Sequence, residues 1–184
     1  MSLQDKYLPV YHFVETHLID IRSDAETIYK AALTSDFSTS PVTKVLLSLR
    51  GISTQRSFGL DAAREVGFTL LEEVDGREII FGLTGQFWKA RGNIQYLSRH
   101  DFIKFNDENF AQATWNFSIV ENSIDFCRLL TETRIYCPGK LTRMKFRFYW
   151  LFIKPFSGLI RMEMLKAIKS AAERAYIVHH KLGA

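Results

Sequence analysis

The stretch that decides the fold runs from Gly139 to Leu182 and reads GKLTRMKFRFYWLFIKPFSGLIRMEMLKAIKSAAERAYIVHHKL. Its apolar residues recur at steps of three and four, which predicts one long helix with an apolar face. Pro155 removes a backbone donor and crowds the preceding turn, so a kink or a break is expected there. We expect the apolar face to be mostly core, formed by Leu141, Met144, Phe148, Leu151, Phe152, Leu159, Met162, Leu165 and Ile168.

The first third of the chain predicts one strand followed by two short helices. Alternating residues indicate a strand from Val10 to Ile21. A capping-box signature at Ser23–Glu26 opens a helix that runs to about Leu33. Ser40, followed by Pro41 at the first helical position, opens a second helix that ends at Arg50.

The middle of the chain predicts two antiparallel hairpins. Asp75-Gly76 is a strong hairpin signal. The first hairpin joins Val66–Val74 to Arg77–Leu83, and the second joins Phe110–Val120 to Ile124–Cys137. Between them we expect a brief strand, Ile94–Leu97, and a polar, turn-rich stretch, Ser98–Asn109. The element order predicts a single α+β domain over residues 1–184, in which the terminal helix covers one face of a sheet and leaves a pocket beneath it.

Composition narrows the class of protein. The 184 residues are 47% apolar, which is ordinary for one globular domain. The longest apolar run, Phe148 to Ile153, is too short to cross a bilayer, and the first ten residues lack the apolar core of a signal peptide. We therefore expect a cytoplasmic protein. Cys127 and Cys137 would be about 33 Å apart on one strand, which excludes a disulfide between them, and neither has the spacing of a metal ligand.

Positive charge is concentrated in the last quarter of the chain. Residues 138–184 carry ten Lys and Arg against Glu163 and Glu173, a net charge of +8. The rest of the chain carries fourteen basic and eighteen acidic residues, a net charge of −4. A solvated helix face opposite an acidic sheet is the simpler interpretation, and an anionic membrane surface or an acidic ligand is the alternative. No nucleic-acid-binding motif accompanies the charge, so we expect no nucleic acid partner.

Several motifs resemble one superfamily across nearly the whole chain. They are Glu15-x-His17, Gly85-x-Phe87-Trp88, Trp115-Asn116-Phe117, Thr131-Glu132-Thr133-Arg134, and the segment from Tyr149-Trp150 through Pro155 to Gly158-Leu159-Ile160-Arg161. The chain is similar to START-like, Bet v 1-like proteins (the SRPBCC or polyketide cyclase-like superfamily), and to a bacterial branch of it. The resemblance implies a helix-grip fold, with an antiparallel sheet wrapped around a long C-terminal helix. It also implies an apolar cavity between the sheet and that helix.

Two groups of residues are the candidate ligand-binding site. The aromatic group comprises Phe81, Phe87, Trp88, Trp115, Phe117, Phe148 and Phe152, whose side chains suit core packing and pocket lining equally well. The polar group comprises Glu15, His17, Glu132 and Arg134. In the resembling fold the first strand pairs with the last, which would bring these four into one cluster. On the inner face a carboxylate beside an imidazole suits acid–base chemistry, whereas on the outer face the four would be structural ion pairs.

Three functions fit these observations. The first is non-enzymatic binding or carriage of a hydrophobic or amphipathic small molecule or lipid, without metal or cofactor. The second is a cyclase or dehydratase acting on a polyketide-like substrate through the polar group. The third is association of the basic helix with a membrane surface or partner. Oligomeric state and ligand identity stay open.

Overall fold

The computed structural model describes residues 2–36, 67–89, 92–123 and 125–182. The architecture is α+β, as predicted, and the second predicted short helix, Ser40 to Arg50, lies outside the described residues. The elements follow in the order α1 (Leu3–Tyr7), β1 (Phe13–Ile21), α2 (Ala25–Thr34), β2 (Thr69–Val74), β3 (Glu78–Gly85), α3 (Arg99–Lys104), β4 (Ala111–Ser123), β5 (Phe126–Tyr136) and α4 (Lys140–Leu182).

The five strands form one antiparallel sheet in the order β1-β5-β4-β3-β2. The first strand pairs with the last, with Phe13 opposite Ile135. Both predicted hairpins are confirmed, and Gly76 in the first turn has a φ of 68°, which glycine adopts without strain. The strand predicted at Ile94–Leu97 is wrong, because only an isolated bridge from Gln95 to Thr84 forms there.

The long helix α4 covers the inner face of the sheet. Phe81, Trp115 and Phe117 project from β3 and β4 into a core that also contains Leu165 and Ile168 of α4. The helix α2 packs into the same core through its own apolar side chains, Ile28, Ala31 and Ala32. This is the helix-grip arrangement. The helix α4 continues through Pro155, so the chain does not break there, and the kink stays a prediction.

Two short helices, α1 and α3, cover the outer face of the sheet. Leu3, Tyr7 and Phe102 of these helices pack on Leu71 and Ile80. Neither helix was predicted, and α3 occupies part of the stretch expected to be turns.

Both helices begin with the same local signal. Ser2 Oγ accepts a hydrogen bond from the Asp5 N–H, and Ser98 Oγ accepts one from the Asp101 N–H, each at 3.2 Å. A serine followed three residues later by aspartate is a helix-start signature that was legible in the sequence.

The first half of α4 turns a different face inward from the one predicted. Phe146 is a buried apolar residue there, at 1% exposure, and Trp150 is half-buried. The predicted core residues Leu165 and Ile168 are confirmed, each 0% exposed. The predicted core is wrong at the solvent-facing positions Leu141, Met144, Phe148, Leu151, Phe152 and Leu159. Both sets recur at three- and four-residue steps, so periodicity alone did not separate them.

Two further expectations concern thiols and membranes. Cys127 and Cys137 are buried and free, which agrees with the predicted absence of a disulfide. Within the described ranges, no helix combines the length and the apolar character needed to cross a bilayer.

Candidate functional site

A small pocket, here called the inner pocket, lies between the sheet and α4. Its volume is about 110 Å³. Its walls are mainly apolar and aromatic, from Leu83, Phe87, Ala113, Ile135, Phe146, Tyr149, Trp150 and Ile153. Three polar side chains also line it, those of Thr133, Ser157 and Arg161. An apolar pocket with a few convergent polar groups is the usual form of a small-molecule site.

The size of the inner pocket limits what fits inside it. Typical ligand pockets have volumes of about 300–1,000 Å³, whereas an apolar cavity of about 150 Å³ holds one benzene molecule. The inner pocket is therefore too small to enclose a whole lipid. The available space suits a short alkyl chain or part of one ring.

Arg161 supplies the charge at the inner pocket. Its guanidinium carbon lies 4.1 Å from the centre of the Trp115 ring, so the cation stacks on an indole that is only 4% exposed. The Trp115 Nε1–H donates to Thr131 Oγ1 at 2.8 Å, which fixes the orientation of the ring. The indole thus holds Arg161 between sheet and helix.

Glu15 and His17 project from β1 toward α4, beside the inner pocket. Glu15 Oε1 lies 3.1 Å from His17 Nε2, and the Glu15 side chain is 7% exposed. Its second oxygen, Oε2, has no hydrogen-bond partner within the described part of the chain. Glu15 is directly opposite Thr133, which itself lines the pocket, so this polar pair adjoins the pocket wall.

Glu132 and Arg134 lie on the outer face, and the predicted cluster of four polar residues is wrong. In the β1–β5 register Glu132 is opposite Thr16 and Arg134 is opposite Val14, whereas Glu15 is opposite Thr133. Successive side chains of a strand point to opposite faces, which separates the two pairs.

On that outer face, α1 and the segment after it surround Arg134. Its guanidinium donates to Asp5 at 2.8 Å and to the Leu8 carbonyl at 3.3 Å, and it also pairs with Glu132. It stacks on the Tyr11 ring at 4.7 Å. These contacts hold the N-terminal segment to the sheet, so the role of Arg134 is structural.

Three of the aromatic candidates are core residues. Phe81, Trp115 and Phe117 are each less than 5% exposed. Their rings pack against one another, with centroids 5.6 Å apart for Phe81–Trp115 and 5.1 Å apart for Trp115–Phe117. None of the three lines the inner pocket.

The other four aromatic candidates divide between the pocket and the surface. Phe87 lines the inner pocket and packs edge-on against Phe146, with ring centroids 6.2 Å apart. Trp88 is partly buried against the same cluster. Phe148 and Phe152 project away from the sheet and are 64% and 69% exposed, so their assignment to the inner cavity is wrong.

A second, open groove lies along the solvent side of α4 and is here called the outer groove. Its volume is about 910 Å³, and its lining includes Phe13, Phe148, Trp150 and Leu151 together with the cations Arg147 and Lys154. Trp150 lines both the outer groove and the inner pocket, so the two are neighbours. Sequence reasoning missed this groove because it assigned Phe148 and Leu151 to the core.

Sequence reasoning also missed three polar residues at the inner pocket, Thr133, Ser157 and Arg161. A signal for Arg161 existed, since it is in helical step with Trp150, Ile153 and Ser157 on the face that covers the sheet. No group of three or more potential metal ligands lies close together among the residues that the structure describes.

Comparisons with known proteins give only weak likenesses. No family model and no curated protein matches the chain. A conserved protein from Geobacillus kaustophilus has a TM-score of 0.44 at 9% identity, over 89% of this chain and 97% of that one. A protein from Thermus thermophilus has a TM-score of 0.38 at 9% identity, over 89% and 99% of the two chains. The Zhui aromatase/cyclase from a Streptomyces species has a TM-score of 0.32 at 10% identity, over 88% and 94%. Likenesses of this size do not assign the chain to a family or an activity.

Proposed function

We propose that the protein binds a small amphipathic molecule at the inner pocket without transforming it. The observation that carries this proposal is the combination of aromatic walls with the cation Arg161 and the aliphatic hydroxyl groups of Thr133 and Ser157. The apolar part of a ligand gains by leaving water, and the polar groups orient its head. A positive charge at the polar end favours a carboxylate or another anion.

The ligand's buried part is small in this proposal. A pocket of about 110 Å³ accepts a short chain or part of one ring. A longer ligand would extend past Trp150 into the outer groove, since that side chain lines both spaces. Ligands of increasing length should therefore gain affinity beyond the point at which the inner pocket is full.

The test is a titration followed by intrinsic tryptophan fluorescence, because Trp150 lines the pocket and Trp115 stacks on Arg161. Benzoate, 3-phenylpropanoate and octanoate are the anionic probes, and benzyl alcohol is the neutral one. We expect saturable binding, with the carboxylates binding about tenfold more tightly than the alcohol, the size of one charge-assisted hydrogen bond.

The test variant is Arg161→Gln, and its matched control on the same helix is Arg174→Gln. Arg174 is exposed and does not line the pocket. Arg161→Gln should abolish the preference for carboxylates, and Arg174→Gln should leave it unchanged. Absence of saturable binding by every probe, or equal losses in the two variants, contradicts the proposal.

A second candidate function is proton transfer by Glu15 and His17 on a bound polyketide-like substrate. It is favoured by their inward direction, their contact at 3.1 Å and the buried, unpartnered Glu15 Oε2. Exchange of the acidic protons of a 1,3-diketone with deuterium, followed by NMR, tests it. The protein should accelerate the exchange and Glu15→Gln should lose that acceleration. If the wild-type protein gives only the buffer rate, this candidate is rejected.

A further inference from the structure

An apolar stripe runs along the solvent side of α4 from residue 141 to residue 159. Its members are Leu141 (59% exposed), Met144 (52%), Phe148 (64%), Leu151 (71%), Phe152 (69%), Phe156 (48%) and Leu159 (44%). They recur at steps of three, four and one, so they share one face of the helix. The opposite face of the same segment supplies the core, through Phe146. Scattered apolar residues on a surface are normal, whereas a contiguous row of this size marks an interaction surface.

Basic residues border this 141–159 stripe. Lys140, Arg147 and Lys154 follow one another at intervals of seven residues, and they are all exposed. Seven residues are close to two turns of helix, so these cations form a row along one side of the stripe. Arg147 and Lys154 line the outer groove together with Phe148 and Leu151. No acidic residue occurs between residues 138 and 162.

We propose that the 141–159 stripe binds the surface of a membrane containing anionic phospholipid, with α4 lying parallel to that surface. Helices with an aromatic and aliphatic face beside a basic border lie in this way, with the apolar face among the acyl chains and the cations at the headgroups. This inference does not depend on ligand binding at the inner pocket.

Charge argues for an anionic lipid surface over a second copy of the chain. Two copies joined symmetrically through the stripe with their α4 helices antiparallel would bring the rows of Lys140, Arg147 and Lys154 close to each other. The segment has no acidic residue with which the other copy could neutralise them. Like charges brought together in this way oppose association, whereas anionic headgroups neutralise them.

The experiment is co-sedimentation of the full chain with sucrose-loaded vesicles of phosphatidylcholine alone and of phosphatidylcholine mixed with phosphatidylserine. We expect sedimentation with the mixed vesicles, at least about tenfold weaker partitioning to phosphatidylcholine alone, and release as salt rises, because screening weakens electrostatic binding.

Two pairs of matched variants separate charge from apolar contact. Arg147→Gln/Lys154→Gln should lower the partition coefficient about 10- to 30-fold, since each basic residue near an anionic surface contributes about fivefold. Lys166→Gln/Arg174→Gln makes the same change in charge elsewhere on α4 and should alter it less than about twofold. Leu151→Ser/Phe152→Ser should lower the partition coefficient at least about tenfold. Ile177 and Val178 are also exposed on α4, and Ile177→Ser/Val178→Ser should not lower it.

Three results overturn the proposal. One is failure of the wild-type protein to sediment with the mixed vesicles, and another is equal losses in the variants and their controls. The third is a wild-type protein that is a dimer in analytical ultracentrifugation and becomes a monomer in the Leu151→Ser/Phe152→Ser variant, while neither protein binds vesicles. That result would assign the stripe to a second copy of the chain. Urea unfolding of each variant shows that the fold is kept.

Discussion

Glu15 and Gly158 meet at the interface between the sheet and α4, where a β-carbon on Gly158 would lie 2.8 Å from Glu15 Oε1. His17 approaches the same point, with its Cε1 at 3.2 Å. A glycine in the middle of a helix costs about 1 kcal/mol relative to alanine. Here the missing side chain lets a buried carboxylate and an imidazole fit beneath the helix.

The first prediction concerns this contact. Gly158→Leu should lower the free energy of unfolding by about 1–3 kcal/mol, because the added side chain meets Glu15 and His17. Gly158→Ala should be close to neutral, since its gain in helix propensity offsets a smaller clash. Urea unfolding measures both. The Glu15→Ala change should rescue part of the Gly158→Leu loss, and strict additivity of the two would contradict the contact.

The second prediction compares two arginines of β5. Arg134 is 10% exposed at its side chain and has Asp5 and Glu132 as partners, whereas Arg128 and its partner Asp20 are 42% and 41% exposed. Arg134→Met should cost about 3 kcal/mol, because it leaves carboxylates without their cation near a buried face. Arg128→Met should cost much less, because both members of that pair are exposed and screened by water. Equal losses in urea unfolding would contradict the larger structural role of Arg134.

The third prediction concerns stability in acid. Burial, with a smaller contribution from the charge of Arg143, lowers the pKa of His12 below its ordinary value. The neutral ring also accepts a hydrogen bond at Nδ1 from the Cys137 N–H at 3.1 Å. Because the unfolded chain takes up this proton at about pH 6.5, the stability due to His12 is complete above that pH. It is lost progressively as the pH falls toward the lower pKa of the folded state.

The variant His12→Asn keeps an acceptor at this position and cannot titrate. Its loss of unfolding free energy between about pH 7.5 and about pH 5 should be smaller than that of the wild-type protein. His100→Asn is the control, since the His100 side chain is 72% exposed, and it should behave like the wild type. The same acid sensitivity in all three proteins would exclude His12 as its source.

The fourth prediction uses the two kinds of apolar residue on α4. Ile168→Ala should cost about 2–5 kcal/mol, because Ile168 is 0% exposed and its loss leaves a cavity. Leu151→Ala should change stability by less than about 0.5 kcal/mol, because Leu151 is 71% exposed. Both values come from urea unfolding. A large loss for Leu151→Ala would mean that the stripe is buried in solution.

The fifth prediction concerns the thiols. Burial raises the pKa of Cys137 to about 12 and also raises that of Cys127. Since the thiolate is the reactive form, neither should react with iodoacetamide at neutral pH in the native protein. Both should react in denaturant, and intact-mass spectrometry counts the added groups. Rapid labelling of the native protein would show that the core around these residues opens easily.

The sequence predicted the existence of α4 and of the strands better than it predicted which of their faces point toward the core. Around Leu165 and Ile168 one face of α4 is apolar and its flanks carry charged residues such as Lys166 and Lys169, so these two core residues were assigned correctly. In the first half, two faces are apolar. The choice between them depends on contacts with β1 and β5, which no local pattern records.

The candidate site was predicted only in part, for a similar reason. Strand β1 has apolar residues in both alternating sets, so its pattern did not reveal that Glu15 and His17 face α4. Glu132 and Arg134 belong to β5, the strand paired with β1, but they lie on the other face of the sheet, where α1 supplies their partners. Placing them required α1, whose helix-start signature at Ser2 and Asp5 was present in the sequence but went unused.

The pairing of the first strand with the last has a consequence for how the chain folds during synthesis. Phe13 pairs with Ile135, 122 positions later, and β5 is the partner strand of β1 in the sheet. At the usual rate of translation, about 5–20 residues per second, β1 waits roughly 6–25 seconds for β5 to be made. Contacts this distant in sequence also slow the folding of the finished chain. Until β5 arrives, the nascent chain carries an unpaired strand with apolar residues on both faces, and protection of that strand would govern the yield of folded protein.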